Sequence, residues 1–377
     1  MRIAEVAPLA EAVPPRLYGG TERVVSWLVE ELVNQGQDVT LFASGDSSTR
    51  ARLVPIVPRA LRLEGVRDHT AFTLVMLDEV RRRADEFDII HFHTDILQFP
   101  LFADLAAKCV TTLHGRLDLT DIHPIYRRFP AMPLVSISDD QRRPMPPANW
   151  ASTIHHGLPP ELYRLNRGPG QYLAFLGRMS PEKRPDRAIE IAIRSGIPLK
   201  MAAKVDVADR DYFEREIKPL LDHPLIEFLG EIGDADKNDF LGGAMALLLP
   251  IDWPEPFGLV MIEAMACGTP VIAWGQGSVP EVVDEGVTGL MVFSIEEAVE
   301  AVRTASHMDR GAVRERFEAR FTAARMASRY VETFEMLRHS KRTHRALLPR
   351  IPSVLPEPAG VGRGVMLRTM GRLSQAI

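Results

Sequence analysis

Short apolar runs alternate with amphipathic stretches along the chain, a pattern typical of parallel sheets covered by helices. The apolar positions between residues 24 and 32 recur with helical spacing, so a helix ending near Gly36 should follow the first strand. This half of the chain predicts one doubly wound unit. Its strands are predicted at Arg2 to Ala7, Asp38 to Ala43, Asp88 to His93, Cys109 to His114 and Leu134 to Ser138.

A second series of strands begins after a pause between residues 153 and 170. Helical patterns follow at residues 295–307 and 322–338. We therefore predict an α/β protein with two Rossmann-like, doubly wound domains, residues 1–160 and 161–321, and a ligand cleft between them at the carboxyl ends of the strands. The second set of strands is predicted at Tyr172 to Arg178, Leu199 to Val205, Ile226 to Gly230, Ala244 to Ile251 and Pro270 to Trp274.

The end of the chain, residues 339–377, has a different character, because it is basic and interrupted by prolines. Disorder is the favoured interpretation of such a composition. The alternative is that a basic amphipathic segment, Val365 to Leu373, contacts an anionic membrane surface.

The composition, net charge and cysteine content of the chain limit the classes of protein to which it can belong. A chain of 377 residues with 46% hydrophobic and 25% charged residues is typical of a soluble two-domain protein. A net charge of -5 argues against binding to nucleic acid. Only Cys109 and Cys267 are present, and no apolar run approaches the roughly 20 residues of a membrane span. The N-terminus does not resemble a signal peptide. We expect a cytoplasmic protein, or one held at the inner face of the membrane by its tail.

The segment from Glu255 to Glu263 places two carboxylates eight residues apart around a turn into an apolar helix. Gly258 lets the backbone approach a ligand, and the helix that follows offers free amides and the positive end of its dipole. Such a segment can bind a phosphate and a sugar together.

Two other segments offer groups for an anion. Gly19 and Gly20 stand immediately before a predicted helix, where they form either a phosphate-binding turn or a simple turn. Arg178 and Lys183 lie five residues apart at the end of the first strand of the second series. Two fixed cations there could neutralise a diphosphate without a metal, and the alternative is a pair of solvated surface charges.

Histidines and paired aspartates are the candidate metal or substrate ligands in the sequence. His114 lies at the end of a strand, where ligands bind in such sheets, so we interpret it as a site residue. His91 and His93 face the same way, yet no third ligand is evident, and a metal site is not predicted. Asp234 and Asp236 open a helix, which favours a capping role over metal binding.

Taken together, these residues closely resemble the retaining GT-B glycosyltransferases of family 4, also called glycosyl transferases group 1. The resemblance spans residues 1–338 and is strongest from Glu255 to Ile272, with further similarity at Gly277 to Glu281 and Gly286 to Gly289. It implies transfer of a sugar from a nucleoside diphosphate sugar to an acceptor such as a glycan, lipid or small molecule. It also implies retention at the anomeric carbon, no metal, and front-face departure and attack.

The resemblance also implies roles for individual residues. Glu255 would contact the donor sugar, while Arg178 and Lys183 would hold the leaving diphosphate and His114 would lie beside the transferred sugar. The remaining donor contacts would be Glu263 with the ribose, and Gly19, Gly20, Phe257, Gly258 and Leu259 with the phosphates and sugar. The helix at residues 322–338 would cross back and pack on the first domain. The acceptor would bind mostly on that domain, where the candidates are Arg116, Asp118, Asp121, His123 and Tyr126, although loop and surface residues are the favoured interpretation of these five.

One segment departs from the family pattern. Residues 202–206 read Ala-Ala-Lys-Val-Asp where the family often has a glycine-rich turn, so Lys204 could contact the nucleotide or the turn could be reshaped. Two alternatives to a transferase stay open at this point. They are a nucleotide-sugar 2-epimerase, which shares the two-domain fold, and a sugar-nucleotide-binding protein without turnover.

Overall fold

The first domain is built on a seven-stranded parallel sheet with the strand order β3-β2-β1-β4-β5-β6-β7. The structure is a computed structural model that describes residues 1–16 and 19–347, except for the side chains of residues 340–347. The strands are β1 Arg2–Val6, β2 Asp38–Ser44, β3 Arg52–Val57, β4 Ile89–Phe92, β5 Cys109–Thr112, β6 Pro133–Ser136 and β7 Asn149–Thr153. The helices are α1 Gly20–Asn34, α2 Thr70–Arg82, α3 Phe99–Phe102 and α4 His123–Arg128.

The second domain has a six-stranded parallel sheet with the order β10-β9-β8-β11-β12-β13. Its strands are β8 Tyr172–Arg178, β9 Leu199–Lys204, β10 Ile226–Gly230, β11 Ala244–Leu249, β12 Val271–Trp274 and β13 Gly289–Val292. Its helices are α5 Pro185–Ser195, α6 Arg210–Tyr212, α7 Asp234–Gly242, α8 Leu259–Ala266, α9 Val279–Val282, α10 Ile295–Ala305 and α11 Arg310–Arg320.

These two doubly wound sheets confirm the predicted GT-B architecture. Every predicted strand is present, whereas β3, β7 and β13 were not anticipated from the sequence. In both sheets the first strand of the domain is central and later strands add on either side. Their carboxyl ends consequently face each other across the space between the domains.

The last helix returns to the first domain. Leu158 and Thr322 form an isolated bridge where the chain crosses back, and α12 Ala323–Leu347 then packs against α1. The expected returning helix therefore exists, but it continues to Leu347. The tail predicted to begin at residue 339 is thus helical for its first nine residues. The remaining tail, with the segment interpreted as a membrane contact, lies outside the described residues. No helix in the described part of the chain is long and apolar enough to cross a membrane.

The core lies on both faces of each sheet, as alternation along a strand requires. In β1, Ile3 belongs to the same buried cluster as the apolar face of α1, while its neighbour Ala4 belongs to the cluster that includes the apolar face of α2. Since both faces are covered by helices, polar groups on these strands are buried unless they lie at the strand ends.

Candidate active site

A cavity of about 330 Å³ lies between the two domains at the carboxyl ends of their strands. The first domain contributes the N-terminus of α1, the loop after β5 and the linker, and the second contributes the loops after β8 to β11 and the start of α8. All ten residues predicted to be catalytic or donor-binding line this cavity: Gly19, Gly20, His114, Arg178, Lys183, Glu255, Phe257, Gly258, Leu259 and Glu263.

Glu255 is held by two partners in the loop before α8. Its Oε2 accepts hydrogen bonds from the Lys183 ammonium and, at 3.1 Å, from the Trp253 indole N–H. The Lys183 Nζ also lies 4.8 Å from the centre of the Trp253 ring. Because Glu255 is only 7% exposed, these contacts offset the cost of burying its charge. Sequence analysis missed Trp253, since its role depends on the folded loop.

Two glycines give the loop its shape. Gly258 precedes α8 with φ of 76°, and a side chain there would lie 2.9 Å from the Met261 methyl and 3.3 Å from the Glu255 Cγ. Behind the loop, Gly277 has φ of 60°, and an added Cβ would lie 2.3 Å from the Glu255 amide nitrogen. Ser278 then fixes the loop, because its amide donates to the Glu255 carbonyl and its hydroxyl to the Phe257 carbonyl, both at 2.9 Å.

Glu263 belongs to a row of charges that crosses the interface. Its Oε1 accepts a hydrogen bond from the Lys237 Nζ at 2.9 Å, and Lys237 also lies 3.4 Å from Asp234. Asp234 in turn pairs with Arg23 of the first domain. The predicted capping role of Asp234 is wrong, since Gly233 is the N-cap of α7 and no side chain caps that helix, but Asp234 and Asp236 lie in its first turn, where the helix dipole favours them as predicted. Ion pairs hold Asp234 instead.

The other predicted cations also lie among carboxylates. Arg178 pairs with Glu182 and, at 3.2 Å, with Asp209. Burial first raises the pKa of Asp209, and the neighbouring Arg178 only partly counters that effect. Lys204 lines the cavity 3.5 Å from Asp206, so the atypical turn brings an additional cation to the site.

His114 ends a buried row of polar side chains. Its Nε2 lies 2.8 Å from the His93 Nδ1, and the His93 Nε2 lies 2.9 Å from the Glu5 Oε2. Burial holds the pKa of His114 well below its usual value, and nearby His156 adds to that effect. His156 stacks on His114 with ring centres 5.3 Å apart and lines the same cavity, although sequence analysis assigned it no role.

The histidines of β4 have a third neighbour that sequence analysis missed. Glu5, on the adjacent strand β1, places a carboxylate oxygen 2.9 Å from a ring nitrogen of each of His91 and His93. Within the described residues these three form the one group with spacing suitable for a metal. They are completely buried and bonded to one another, so the contacts are those of a hydrogen-bond network. Absence of a metal stays a prediction.

The predicted acceptor residues separate in the structure. Arg116 forms a bidentate pair with Asp118, with distances of 2.6 and 2.7 Å, and its guanidinium lies 5.6 Å from the centre of the Trp253 ring. Both therefore lie near the rim of the cavity. The prediction for Tyr126 is wrong, because this residue is 2% exposed and packs against Phe99 in the core of the first domain.

Both domains of the chain match models of known protein families. Residues 165–321 match the family model Glycosyl transferases group 1, and residues 18–153 match Glycosyltransferase Family 4. The chain belongs to the group 1, family 4 glycosyltransferases. The match covers both domains, so the resemblance drawn from the Glu255 to Glu263 segment is confirmed. An enzyme of the glycosyltransferase class replaces the epimerase and the binding-protein alternatives.

Relatives and solved structures support the same family. The phosphatidyl-myo-inositol mannosyltransferase of Mycobacterium leprae is 24% identical over 85% of this chain and 90% of its own length. AviGT4, a glycosyltransferase involved in avilamycin A biosynthesis, is 25% identical and superposes with a TM-score of 0.69 over 90% of this chain and 98% of its own. HepE of Anabaena, solved in complex with UDP-glucose, shares the fold at 16% identity, with a TM-score of 0.65 over 89% and 100% of the two chains.

Proposed function

We propose that this glycosyltransferase transfers a sugar from a nucleoside diphosphate sugar to an acceptor, with retention of the anomeric configuration and without a metal. The observation that carries the proposal is the clustering of three cations, Arg178, Lys183 and Lys204, on one wall of the interdomain cavity. The N-termini of α1 and α8 open on the same cavity, and both favour an anion. A diphosphate is the group that this wall suits.

Breaking the bond between sugar and phosphate builds negative charge on the diphosphate. Cations held in place before the reaction lower its barrier, because they need no reorganisation as the charge develops. Lys183 is held by Glu255 and Trp253, and Arg178 by Glu182 and Asp209. These fixed positive groups can supply the stabilisation that a divalent metal supplies elsewhere.

The two glutamates of the motif would bind the donor at different points. Glu255 lies beside Lys183, so its carboxylate would meet the sugar next to the diphosphate. Glu263 lies on α8 beside Lys237 and would accept hydrogen bonds from the ribose. Both carboxylates are buried, and hydroxyl donors would satisfy their remaining lone pairs.

Retention needs either a covalent intermediate or attack on the face from which the diphosphate leaves. Among the described residues, those of the first domain that line the cavity include no carboxylate, so that wall offers no acidic nucleophile. This favours departure and attack within one ion pair. The UDP-glucose complex of the Anabaena fold neighbour supports, at the level of the fold, a nucleotide sugar as donor.

A melting screen tests the donor directly. UDP-, GDP- and ADP-sugars are added at increasing concentration, with and without EDTA, and the melting temperature is measured. A true donor at 100 times its Kd stabilises the protein by about 2.7 kcal/mol. A shift with one nucleotide class that EDTA leaves unchanged would support the proposal. No shift with any sugar nucleotide, or a shift that EDTA abolishes, would contradict it.

Turnover and stereochemistry form the second part of the test. The donor selected by melting is incubated with glycan, lipid and small-molecule acceptors, and NMR reads the anomeric configuration of the product. A product with the donor's configuration is expected. Inversion would refute front-face retention while leaving the class of donor intact.

A further inference from the structure

The most unusual buried feature of the first domain is a continuous row of polar side chains across β1, β4 and β5. Glu5 pairs with His91 in the strand register, and His93 and His114 follow the ends of β4 and β5. Glu5, His91 and His93 are buried, and Lys and Arg are absent from the hydrogen bonds of this row. Ordinary core packing would place apolar residues here.

The hydrogen bonds of this row run in two branches from Glu5. One branch passes from Glu5 to His91, from the His91 Nε2 to the Thr112 hydroxyl at 2.7 Å, and from there to the Tyr330 hydroxyl at 2.9 Å. That branch ends in the core. The other passes from Glu5 to His93 and from His93 to His114, and it ends at the cavity.

Proton counting fixes the direction of the bonds in the second branch. Burial raises the pKa of Glu5, whereas its hydrogen bond with His93 favours the ionised carboxylate. An ionised carboxylate only accepts, so in that state His91 and His93 each donate one ring N–H to Glu5. A neutral imidazole carries one N–H, and burial lowers the pKa of His93 to about 3, so its Nδ1 is left with a lone pair. The 2.8 Å contact then requires His114 to donate from Nε2. The Nδ1 of His114 therefore carries a lone pair.

The Nδ1 of His114 has no hydrogen-bond partner among the described residues, although it is buried from solvent. Buried polar atoms are nearly always satisfied, so an atom without a partner in a cavity wall indicates a ligand contact. A nitrogen lone pair can accept a hydrogen bond from a hydroxyl, but it forms no hydrogen bond with a group that is itself only an acceptor. Its ligand should therefore be a hydrogen-bond donor, and the hydroxyls of a sugar are donors of this kind.

We propose that Glu5 and His93 are positioning residues that hold His114 as its Nε2–H tautomer, so that its Nδ1 accepts a hydrogen bond from a hydroxyl of the transferred sugar. The tautomer rests on these hydrogen bonds together with an ionised Glu5, whereas the sugar contact rests on the proposed function. The opposite state, with a protonated Glu5 donating to His93, would turn the His114 Nδ1 into a donor. The two states are distinguishable by experiment.

NMR of the ligand-free protein tests the tautomer without any donor. The histidines are labelled with ¹⁵N, and His114 is assigned by comparison with a His114→Gln variant. The expected spectrum has the proton of His114 on Nε2, and a proton on Nδ1 would overturn the proposal. Glu5→Gln and His93→Leu interrupt the branch at two points, and at least one should release His114 into a mixture of tautomers. An unchanged tautomer in both folded variants would also overturn it.

The matched control is Tyr330→Phe. It removes a hydroxyl from the other branch of the same buried network, at a residue outside the cavity lining. A purely structural network would respond similarly to loss of either branch. We expect Tyr330→Phe to keep the Nε2–H tautomer of His114, and the proposal fails if this variant disturbs the tautomer as much as Glu5→Gln does.

Donor analogues test the sugar contact. UDP-glucose and GDP-mannose are compared with their 3-, 4- and 6-deoxyfluoro forms, since fluorine cannot donate a hydrogen bond. At one position, the ratio of kcat/KM between parent and analogue should fall by about 3- to 10-fold in Glu5→Gln relative to wild type, the scale of one hydrogen bond. Tyr330→Phe should keep the wild-type ratio.

The outcomes separate the two proposals. If the ratios are the same in wild type and Glu5→Gln at every position, the sugar contact of His114 is refuted even where the tautomer is as expected. If neither parent donor is turned over or bound, the proposed donor class has failed, and the NMR result still decides whether Glu5 and His93 fix His114.

Discussion

Gly277→Ala should lower activity without touching the ligand, because Gly277 lies outside the cavity lining and packs against the backbone of Glu255. The new methyl group would lie 2.3 Å from the Glu255 amide nitrogen and 2.6 Å from its carbonyl oxygen. The backbone of Gly277 also has φ of 60°, which an alanine adopts only with strain. Both effects act on the same turn.

The size of the effect follows from these distances. Ordinary van der Waals contact begins at 3.4 Å, so Glu255 and position 277 must move apart by about 1 Å. The left-handed conformation costs roughly 1–2 kcal/mol and the overpacking roughly 1–3 kcal/mol, so the variant should lose about 2–5 kcal/mol of stability. A displacement of about 1 Å at a catalytic group can cost about 100-fold in rate. That loss should appear in kcat.

Gly286→Ala is the matched control. Gly286 also has a left-handed conformation, with φ of 73°, but no atom lies within 4 Å of the position of its added Cβ. Denaturant unfolding and donor turnover are measured for both variants. Gly286→Ala should lose about 1–2 kcal/mol of stability with unchanged kcat. Equal kcat values in the two folded variants would refute the argument that Gly277 positions Glu255.

Three further substitutions test the roles of the charged residues Lys183, Glu255 and Glu281. Lys183→Ala should lower kcat/KM by about 100- to 1,000-fold, as loss of one preorganised donor does, and unchanged kinetics would exclude Lys183 from the site. Glu255→Gln should lower turnover by orders of magnitude while the nucleoside diphosphate product binds more tightly, because Lys183 is freed, and weaker product binding in calorimetry would count against this pairing. Burial alone would raise the pKa of Glu281, but hydrogen bonds from His155 and two backbone amides outweigh it and hold that pKa below its usual value. The ionised Glu281 therefore stabilises the folded protein above the unfolded-state pKa of about 4.3, and this contribution is lost as pH falls through the lower folded-state pKa. At pH 7 the free energy of unfolding of Glu281→Gln should be about 1–3 kcal/mol below that of wild type, and the difference should disappear in acid.

The strands that the sequence did not predict share one position in the fold. β3, β7 and β13 are each at the edge of a sheet. Edge strands bury less of their surface, and the polar residues of β7, Asn149–Thr153, interrupt the continuous apolar run that marks a central strand. β3 even contains Pro55, which a central strand would exclude. The central strands were predictable because burial on both faces demands apolar residues.

The same reasoning explains which site residues were predictable. Gly258, Glu255 and Glu263 belong to one local segment, whose spacing is visible in the sequence. Arg23 and Asp234 are paired although they are 211 residues apart, and only the meeting of two domains brings them together. Such pairs follow from tertiary structure, which no local pattern contains.

The two motif glutamates have a shared physical role before any donor binds. Glu255 pairs with Lys183, and Glu263 pairs with Lys237, so each buried carboxylate holds one cation of the cavity. If the cavity receives a diphosphate, as proposed, it needs cations, yet unpaired buried cations would destabilise the empty protein. Carboxylates that accept hydroxyls of the proposed donor would solve both problems, because their ion pairs hold the empty site and their remaining lone pairs would bind the sugar and ribose. This double demand gives a physical reason for two glutamates, rather than neutral hydroxyl acceptors, around the turn into α8.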